Sequence, residues 1–296
     1  MIEAEAKSPA EQKTKKARRL TWLGVAPFFL FTFAFLIYPS LSIVVGAFQN
    51  EQGQFTTSLL REMVTHATLQ AYWMSIKLSV TTAVLGGLFG LLMAYGAVSD
   101  KMPRWVRTTL STFSGVAANF AGVPLAFAFI ATLGFTGIIT KLLKDAFGLD
   151  IYNGGFSLYS FAGLAVVYLY FQIPLMILVI MPALDGLRRE WREAASNLGA
   201  STSQYWRHVA LPVLMPSLLG AVMLLFGNAF GAYATAYALT SGQLPLVPLL
   251  IGQVETGNVL SDPHFGDVLA LGMVIVLTFT MIGYGLLQRK ASRWQR

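Results

Sequence analysis

The sequence predicts an all-α polytopic membrane protein with six transmembrane helices. Hydrophobic residues make up 55% of the 296 residues and charged residues only 12%, about half of the roughly 25% found in an average soluble chain. The mean hydropathy is +0.60. The apolar residues are gathered in long stretches that are nearly free of charge, without the period-two alternation of a membrane β-barrel. A disordered chain and an ordinary soluble enzyme are therefore disfavoured, and a disulfide scaffold is excluded because the chain has no cysteine.

Each apolar stretch is long enough to cross the hydrocarbon core as a helix, which takes roughly 20 residues. In chain order the stretches cover approximately residues 22–47, 73–98, 109–134, 160–184, 215–240 and 265–288. Backbone polar groups in lipid must be satisfied within the segment, so these stretches are expected to be helical. We expect one six-helix domain over residues 21–290, between an N-terminal tail of residues 1–20 and a C-terminal tail of residues 291–296.

The distribution of basic residues predicts which side of the membrane each loop occupies. All but four of the 21 lysines and arginines lie in the N-terminal tail, the 99–108 loop, the 185–214 loop or the C-terminal tail. The four exceptions are Arg61, Lys77, Lys141 and Lys144. Both termini are therefore expected in the cytoplasm, and topology alone explains the net charge of +7 without a nucleic-acid surface.

Glycines and prolines within the stretches predict close packing and kinks. Gly86 and Gly90 in the second stretch, and Gly227 and Gly231 in the fifth, have the spacing that lets helices approach closely. Prolines inside the stretches permit kinks around a solute path, although proline is also common in ordinary membrane helices. The prolines concerned are Pro27, Pro39, Pro124 and Pro174.

Several kinds of chemistry are missing from the chain. It has no G-x-x-x-x-G-K-[ST] phosphate loop and no H-E-x-x-H motif, and its histidines fall outside the predicted spans. A self-powered secondary carrier would be expected to hold a charge in mid-membrane or an internal repeat, but Lys77 and Asp267 lie near span ends. An intramembrane enzyme would need a nucleophile with a base, or a metal site, at membrane depth. Any transport by this chain is therefore expected to draw its energy from another subunit.

One motif with strict spacing lies in the loop between the fourth and fifth stretches. Glu193-Ala194-Ala195 is followed after three residues by Gly199, and nine further residues lead to Val209-Ala210-Leu211-Pro212. This pattern resembles the EAA loop of bacterial ABC-importer permeases of type I, with Val209 where isoleucine is usual. Pro27-Phe28-Phe29, Tyr38-Pro39 and Gln172-Ile173-Pro174 are also similar to segments of these permeases.

The resemblance implies a permease subunit of an ATP-driven importer in the bacterial cytoplasmic (inner) membrane. Two permeases, expected here as a heterodimer, would form the solute path, and a periplasmic or extracellular solute-binding protein would deliver the substrate. Each 185–214 loop would dock on one subunit of a separate ATPase dimer, which would bind ATP and Mg²⁺. This chain would then have no catalytic residue, cofactor or metal of its own. The docking residues would be Glu193, Ala194, Ala195, Gly199, Leu211 and Pro212.

The local sequence predicts a helix-turn-helix in the same loop. Residues 190–198 have good helix propensity, and Gly199 can end that helix in a left-handed turn. Ser201 or Thr202 can cap a second short helix, which Pro212 is expected to stop before the fifth span. Such a unit, with exposed alanine and aromatic side chains, is typical of a surface that docks into a partner's groove.

The substrate is less well defined by the sequence. Polar side chains within the spans are candidates for the translocation path, with interhelical hydrogen bonding as the alternative. These candidates are Asn119, Gln172, Asn228, Tyr233 and Thr235. The chain as a whole is most similar to permeases of the polyamine, opine and phosphonate group, which includes ferric-iron relatives. That similarity implies a small organic solute such as a polyamine or phosphonate, with ferric iron or a sugar as alternatives.

Overall fold

The computed structural model describes residues 25–50, 52–99, 102–257 and 264–292, with side chains up to residue 288. The predicted N-terminal tail (1–20) and residues 293–296 lie outside the described residues. The helices are α1 (Val25–Gly46), α2 (Ser58–Glu62), α3 (His66–Val98), α4 (Arg104–Asn119), α5 (Val123–Leu133), α6 (Ile138–Phe147), α7 (Phe161–Asp185), α8 (Arg189–Asn197), α9 (Thr202–Tyr205), α10 (Leu211–Phe230), α11 (Ala234–Thr240), α12 (Val247–Glu255) and α13 (His264–Ser292).

Six segments are long and apolar enough to cross a membrane, which confirms the number of spans predicted. They are Val25–Gly46, His66–Val98, Val123–Phe147, Phe161–Asp185, Thr202–Phe230 and His264–Gln288. Each overlaps one of the predicted stretches, and within the described ranges no strand is present.

The third crossing is made by α4 and α5 together, as their contacts along α7 show, although length and composition alone select the α5–α6 segment Val123–Phe147. Arg107 near the start of α4 pairs with Asp185 at the cytoplasmic end of α7. Phe129 in α5 contacts Tyr170 in the outer half of α7, with ring centroids 5.9 Å apart. The two helices therefore follow α7 from its cytoplasmic end outward, and α6 lies beyond the crossing.

Two of the spans predicted as single helices are interrupted. The 109–134 helix breaks at residues 120–122 and the 215–240 helix breaks at residues 231–233, so both predictions of a continuous helix are wrong. At the first break Gly122 has a φ of 77°, and Pro124 lies in the first turn of α5. The side chain of Thr235, in the first turn of α11, accepts a hydrogen bond of 2.8 Å from the Gly122 amide. The two breaks are therefore joined to each other.

The core lies where α3, α7 and α10 meet. Gly86 and Gly90 face α7 so closely that an added Cβ would lie 2.8 Å from the Gln172 Cβ and 2.5 Å from the Met176 Cβ, respectively. This contact confirms the close packing predicted from the Gly86/Gly90 spacing. Gly231, by contrast, falls at the break after α10, so the predicted Gly227/Gly231 pair does not form a continuous packing face.

An ion pair outside the spans fixes the loop that follows α6. The Lys144 Nζ donates a 3.1 Å hydrogen bond to Asp150 Oδ2, and the amides of Tyr152 and Asn153 donate to the other carboxylate oxygen. The Lys144 hydrogen bond, followed by that of Asn153, lowers the pKa of Asp150. This carboxylate therefore stays charged and holds the loop at neutral pH.

Candidate functional site

The 185–214 loop folds as two short helices joined by a turn at Gly199. α8 ends at Asn197, and Gly199 has a φ of 77°, a conformation that glycine adopts without strain. Ser201 then caps α9 through a capping box in which its hydroxyl accepts from the Gln204 amide and the Gln204 side chain accepts from the Ser201 amide. The helix-turn-helix predicted from the sequence is therefore present, with Ser201 as the cap.

The second helix of this loop is continuous with the fifth span. α9 passes through a π-helical turn, Trp206–Ala210, directly into α10, where Pro212 lies in the first turn. The prediction that Pro212 stops the helix before the span is wrong. Pro212 directly follows the π-helical turn, and such local adjustments let a helix continue through a proline that lacks the backbone donor. The loop is thus rigidly connected to α10, and the Trp206 ring also packs edge-on against Tyr95 of α3, 5.0 Å between centroids.

The motif residues are largely solvent-exposed on the outer surface of this unit. Glu193 and Ala194 are exposed, and Glu193 makes no ion pair within the described part of the chain. Leu198 is 88% exposed. A shallow groove of approximately 410 Å³ runs between the two helices. Its lining residues are Ala195, Leu198, Gly199, Ala200, Gln204, Tyr205, His208 and Val209.

Leu211 and Pro212 lie apart from this groove, in the first turn of α10. Leu211 is 39% exposed. The structure therefore brings Ala195 and Gly199 together with the groove, leaves Glu193 and Ala194 on the adjoining surface of α8, and places the last two motif residues at the base of the span.

A second candidate region is an exposed polar face on the broken helices. Asn119, Asn228 and Tyr233 are exposed, and they lie at or beside the two breaks. On α4, Thr108 and Thr112 are exposed on the same side as Asn119, at spacings of four and seven residues. Polar side chains are unfavourable against lipid, so this face is suited to water, solute or another protein surface.

The two breaks enclose a half-open cavity of approximately 260 Å³. Asn228, Tyr233 and Thr235 line it, and so do the break residues Ala121 and Gly122. Asn119 lies one residue from the lining residue Ala118. The Tyr233 ring also stacks on the ring of Tyr237, with centroids 5.5 Å apart.

Gln172 and Thr235 are buried. For these two residues the structure fits the alternative prediction, hydrogen bonding between helices. Gln172 is fully buried, and its Nε2 donates a 2.8 Å hydrogen bond to the Leu225 carbonyl of α10. Thr235 is 3% exposed and bonds the Gly122 backbone. Gln172 therefore joins α7 to α10 away from the exposed face, while Thr235 borders the cavity mainly as a connection between the breaks.

Sequence reasoning missed the polar face of α4 and the breaks themselves. Thr108 and Thr112 recur on one side of a helix whose opposite side is apolar, a pattern that was available in the sequence. The segment Gly122-Val123-Pro124 was a second signal, because glycine followed by proline at the first turn is typical of a new helix start. The pairing of Arg107 with Asp185, 78 positions apart, had no signal in the sequence.

Comparison with known proteins places the chain among characterised transport proteins. The family model for the binding-protein-dependent transport system inner membrane component matches residues 86–293. The chain is 28% identical over 215 residues to the sulfate transport system permease protein CysT of Salmonella typhimurium, covering 71% of this chain and 72% of that protein. A probable sulfate permease cysT of Nephroselmis olivacea is 26% identical over 244 residues, covering 80% of each. The putative ferric transport system permease protein FbpB 1 of Haemophilus influenzae is 22% identical, covering 86% of this chain but 39% of that protein.

Solved structures show the same fold at low sequence identity. A bacterial ABC transporter that imports the acidic polysaccharide alginate has a chain with a TM-score of 0.72 at 15% identity, covering 95% of this chain and 99% of that one. An inward-facing methionine ABC transporter, MetNI, has a TM-score of 0.57 at 14% identity, covering 80% and 99%.

Proposed function

The chain belongs to the family of binding-protein-dependent transport system inner membrane components, the permease subunits of ABC importers, and we propose that it imports sulfate or a related oxyanion. As a permease it is a transport subunit in the bacterial inner membrane, and the ATPase of such an importer is a separate subunit. The proposal concerns the substrate, the coupling surface and the path.

The main observation in favour of the coupling surface is the turn at Gly199, together with the exposed motif residues beside it. Glu193 presents a charge without an ion pair in the described part of the chain, and Leu198 presents an apolar side chain to solvent. A partner with a basic residue and an apolar groove complements both features. We assign this partner as the ATPase dimer, with ATP and Mg²⁺ bound there.

The charges on the path helices favour an anion. The polar face lies on α4, on α10 and at the breaks beside them. None of the helices α4, α5, α10 and α11 that flank the breaks contains an aspartate or glutamate. Their only charged residues are Arg104 and Arg107, at the cytoplasmic end of α4. The hydroxyl and amide groups of Thr108, Thr112 and Asn228 are neutral donors suited to oxyanion oxygens.

The curated relatives support the same class of substrate. Two of them are described as sulfate permeases, which favours an inorganic oxyanion over the polyamine or phosphonate expected from the sequence. A polyamine or ferric ion would also need negative or strongly electron-donating groups along its path, and the path helices carry no carboxylate.

A second permease is expected to cover the exposed face. The apolar window of α1 has no buried residue, and the polar face around Asn119 and Asn228 is open on this chain. A path between two permeases would shield these polar groups from lipid, which is the physical reason for pairing. We propose a heterodimer, with a solute-binding protein delivering the substrate at the outer side.

The coupling assignment is tested by Gly199→Pro, with Gly148→Pro as a matched control. Both glycines have positive φ and open space around them, and each amide donates to a helix carbonyl, but Gly148 lies beyond α6 on the opposite side. Proline cannot adopt a positive φ. We expect Gly199→Pro and Glu193→Lys to lose co-purification of the ATPase while Gly148→Pro retains it. Equal retention in all three variants would contradict the coupling assignment.

The substrate assignment is tested in proteoliposomes that contain the complete importer and its binding protein. Sulfate, a phosphonate, putrescine, ferric citrate and maltose would each be supplied, and ATP hydrolysis and uptake would be measured. We expect stimulation by sulfate above the other solutes. Stimulation by putrescine or ferric citrate alone would overturn the oxyanion assignment and leave the permease role standing.

A further inference from the structure

A single ion pair joins the base of the 185–214 loop to the helix that carries the polar face. The Arg107 guanidinium in the first turn of α4 donates to the carboxylate of Asp185, the last residue of α7. α8 begins only four residues after Asp185. Thr108, the first hydroxyl of the exposed face, directly follows Arg107. The pair therefore lies between the two regions that an importer must move together.

Both charges occupy the unfavourable end of their own helix. The N-terminus of a helix carries a partial positive charge and the C-terminus a partial negative charge. Arg107 is a cation in a first turn, and Asp185 is an anion at a last residue. Local electrostatics alone would place the opposite charges at these positions, so each residue depends on the other for its stabilisation.

No other ion pair within the described residues replaces this contact, and beside it Leu110 of α4 packs on the apolar core that includes Leu184 of α7. Among the described residues, Arg107 and Asp185 have each other as their ion-pair partner. The side chains are 44% and 36% exposed, so the attraction is weakened by water and easily reversed. A contact of this strength suits a link that holds during part of a cycle better than a permanent brace.

We infer that Arg107 and Asp185 are positioning residues that tie displacement of the coupling loop to displacement of α4, and through α4 to the path. The inference rests on the proposed coupling function of the loop. When the ATPase moves α8, the end of α7 moves with it, and the ion pair draws the cytoplasmic end of α4 along. Loss of the pair leaves the ATPase docked and active but weakens the response of the path.

The experiment compares Arg107→Asp, Asp185→Arg and the double exchange in the complete importer, reconstituted with its binding protein. Each single change sets like charges against each other, whereas the exchange restores opposite charges and also places each at the favourable end of its helix. Lys141→Asp, at an exposed position of α6 away from both the 185–214 loop and the polar face, is the control for a charge reversal elsewhere on the chain. Solute uptake per ATP hydrolysed is measured, together with ATPase co-purification and the melting temperature.

We expect the single changes to lower uptake per ATP by about two- to fivefold, in line with an exposed ion pair. Co-purification should stay unchanged, the double exchange should recover the wild-type ratio, and Lys141→Asp should match wild type. Wild-type ratios in both single variants, or failure of the exchange to recover the ratio, would overturn the inference. Failure of the proposed function is distinguishable, because the unmutated importer itself would then show no ATP-dependent uptake.

Discussion

Two groups of helix contacts in this permease differ in how they are made. α3, α7 and α10 are continuous helices that touch through glycines, with an added Cβ at Gly90 reaching 2.5 Å from Met176. The α4–α5 and α10–α11 pairs are broken. Leu125 of α5 and Leu239 of α11 lie in one buried apolar cluster, and the Thr235 hydroxyl accepts a hydrogen bond from the Gly122 amide. The first group has no room for an added methyl at its closest contact, and the second retains backbone turns beside the exposed polar face.

The difference separates a part of the molecule held by close helix packing from a part in which the helices are interrupted. Close glycine packing relies on many small dispersion contacts that are lost together when helices separate. A break ends the continuous ladder of helix hydrogen bonds, and here a hydrogen bond and buried apolar packing hold the two breaks together. The proposed path lies along this broken group, and the close-packed helices α3, α7 and α10, the fixed group, support it.

The largest expected effect on stability comes from the closest helix contact of the fixed group, between α3 and α7. Gly90→Ala should destabilise the protein by about 1–3 kcal/mol, because the new methyl overlaps α7. Gly96→Ala on the same helix meets nothing within 4 Å and should be neutral or slightly stabilising. Thermal unfolding of the purified protein measures both. Equal melting temperatures for the two variants would show that α3 and α7 can move apart without loss of stability, which would contradict the difference drawn between the two groups.

The next effect addresses the connection between the breaks. Thr235→Val should cost about 1–3 kcal/mol, because it leaves the Gly122 amide without its acceptor. Thr240→Val is the control, since the Thr240 hydroxyl donates only to Ala236 within its own helix. Protection of the 120–122 amides from hydrogen exchange should fall in the first variant alone. Unchanged protection would mean that the breaks are held by other contacts.

A smaller effect is expected for the buried amide of the fixed group. Gln172→Leu removes the Nε2 hydrogen bond to Leu225, together with an Oε1 that is buried without a partner among the described residues. Interhelical hydrogen bonds in membranes are worth about 0.6 kcal/mol on average. The melting temperature should therefore change little, and uptake should persist. Loss of uptake at unchanged stability would contradict a purely interhelical role and assign Gln172 to the path.

The smallest effect on stability, with a clear effect on transport, is expected on the exposed face. Asn228→Ala and Asn119→Ala should leave the unfolding free energy within about 0.5 kcal/mol, as for most exposed substitutions. Sulfate uptake should fall because the path loses hydrogen-bond donors. Met281→Ala, an exposed change on α13, is the control. Normal uptake in both asparagine variants would remove this face from the path.

The six spans and the coupling loop were predictable for local reasons. A span is recognised by roughly 20 apolar residues, and each such stretch proved to overlap one of the six membrane-length segments. The loop was predictable because Gly199 and Ser201 determine their own backbone conformations within a few residues. The predicted stop at Pro212 failed, because the π-helical turn directly before this proline lets the helix continue.

The candidate path residues could not be sorted from the sequence, because the sequence does not show which of them are buried. Asn119, Asn228 and Gln172 are all amides within apolar stretches, and the sequence does not distinguish them. Packing does, because Gln172 faces Gly86 and Leu225 between three helices, whereas the asparagines face outward. The substrate class implied by resemblance, a polyamine or phosphonate, is replaced in our proposal by an inorganic oxyanion, because two relatives are described as sulfate permeases and the proposed path helices carry no carboxylate.

The sequence by itself determined the membrane class, the count and orientation of the spans, and the conformation of the coupling loop. The class and count follow from the transfer of apolar groups out of water, the orientation from the distribution of basic residues, and the loop conformation from local backbone preferences. Only the tertiary structure decided where the fifth span breaks, that Thr235 joins the two breaks, and that Arg107 meets Asp185. These features arise from contacts between residues far apart in the chain, whose partners are set by how the helices pack.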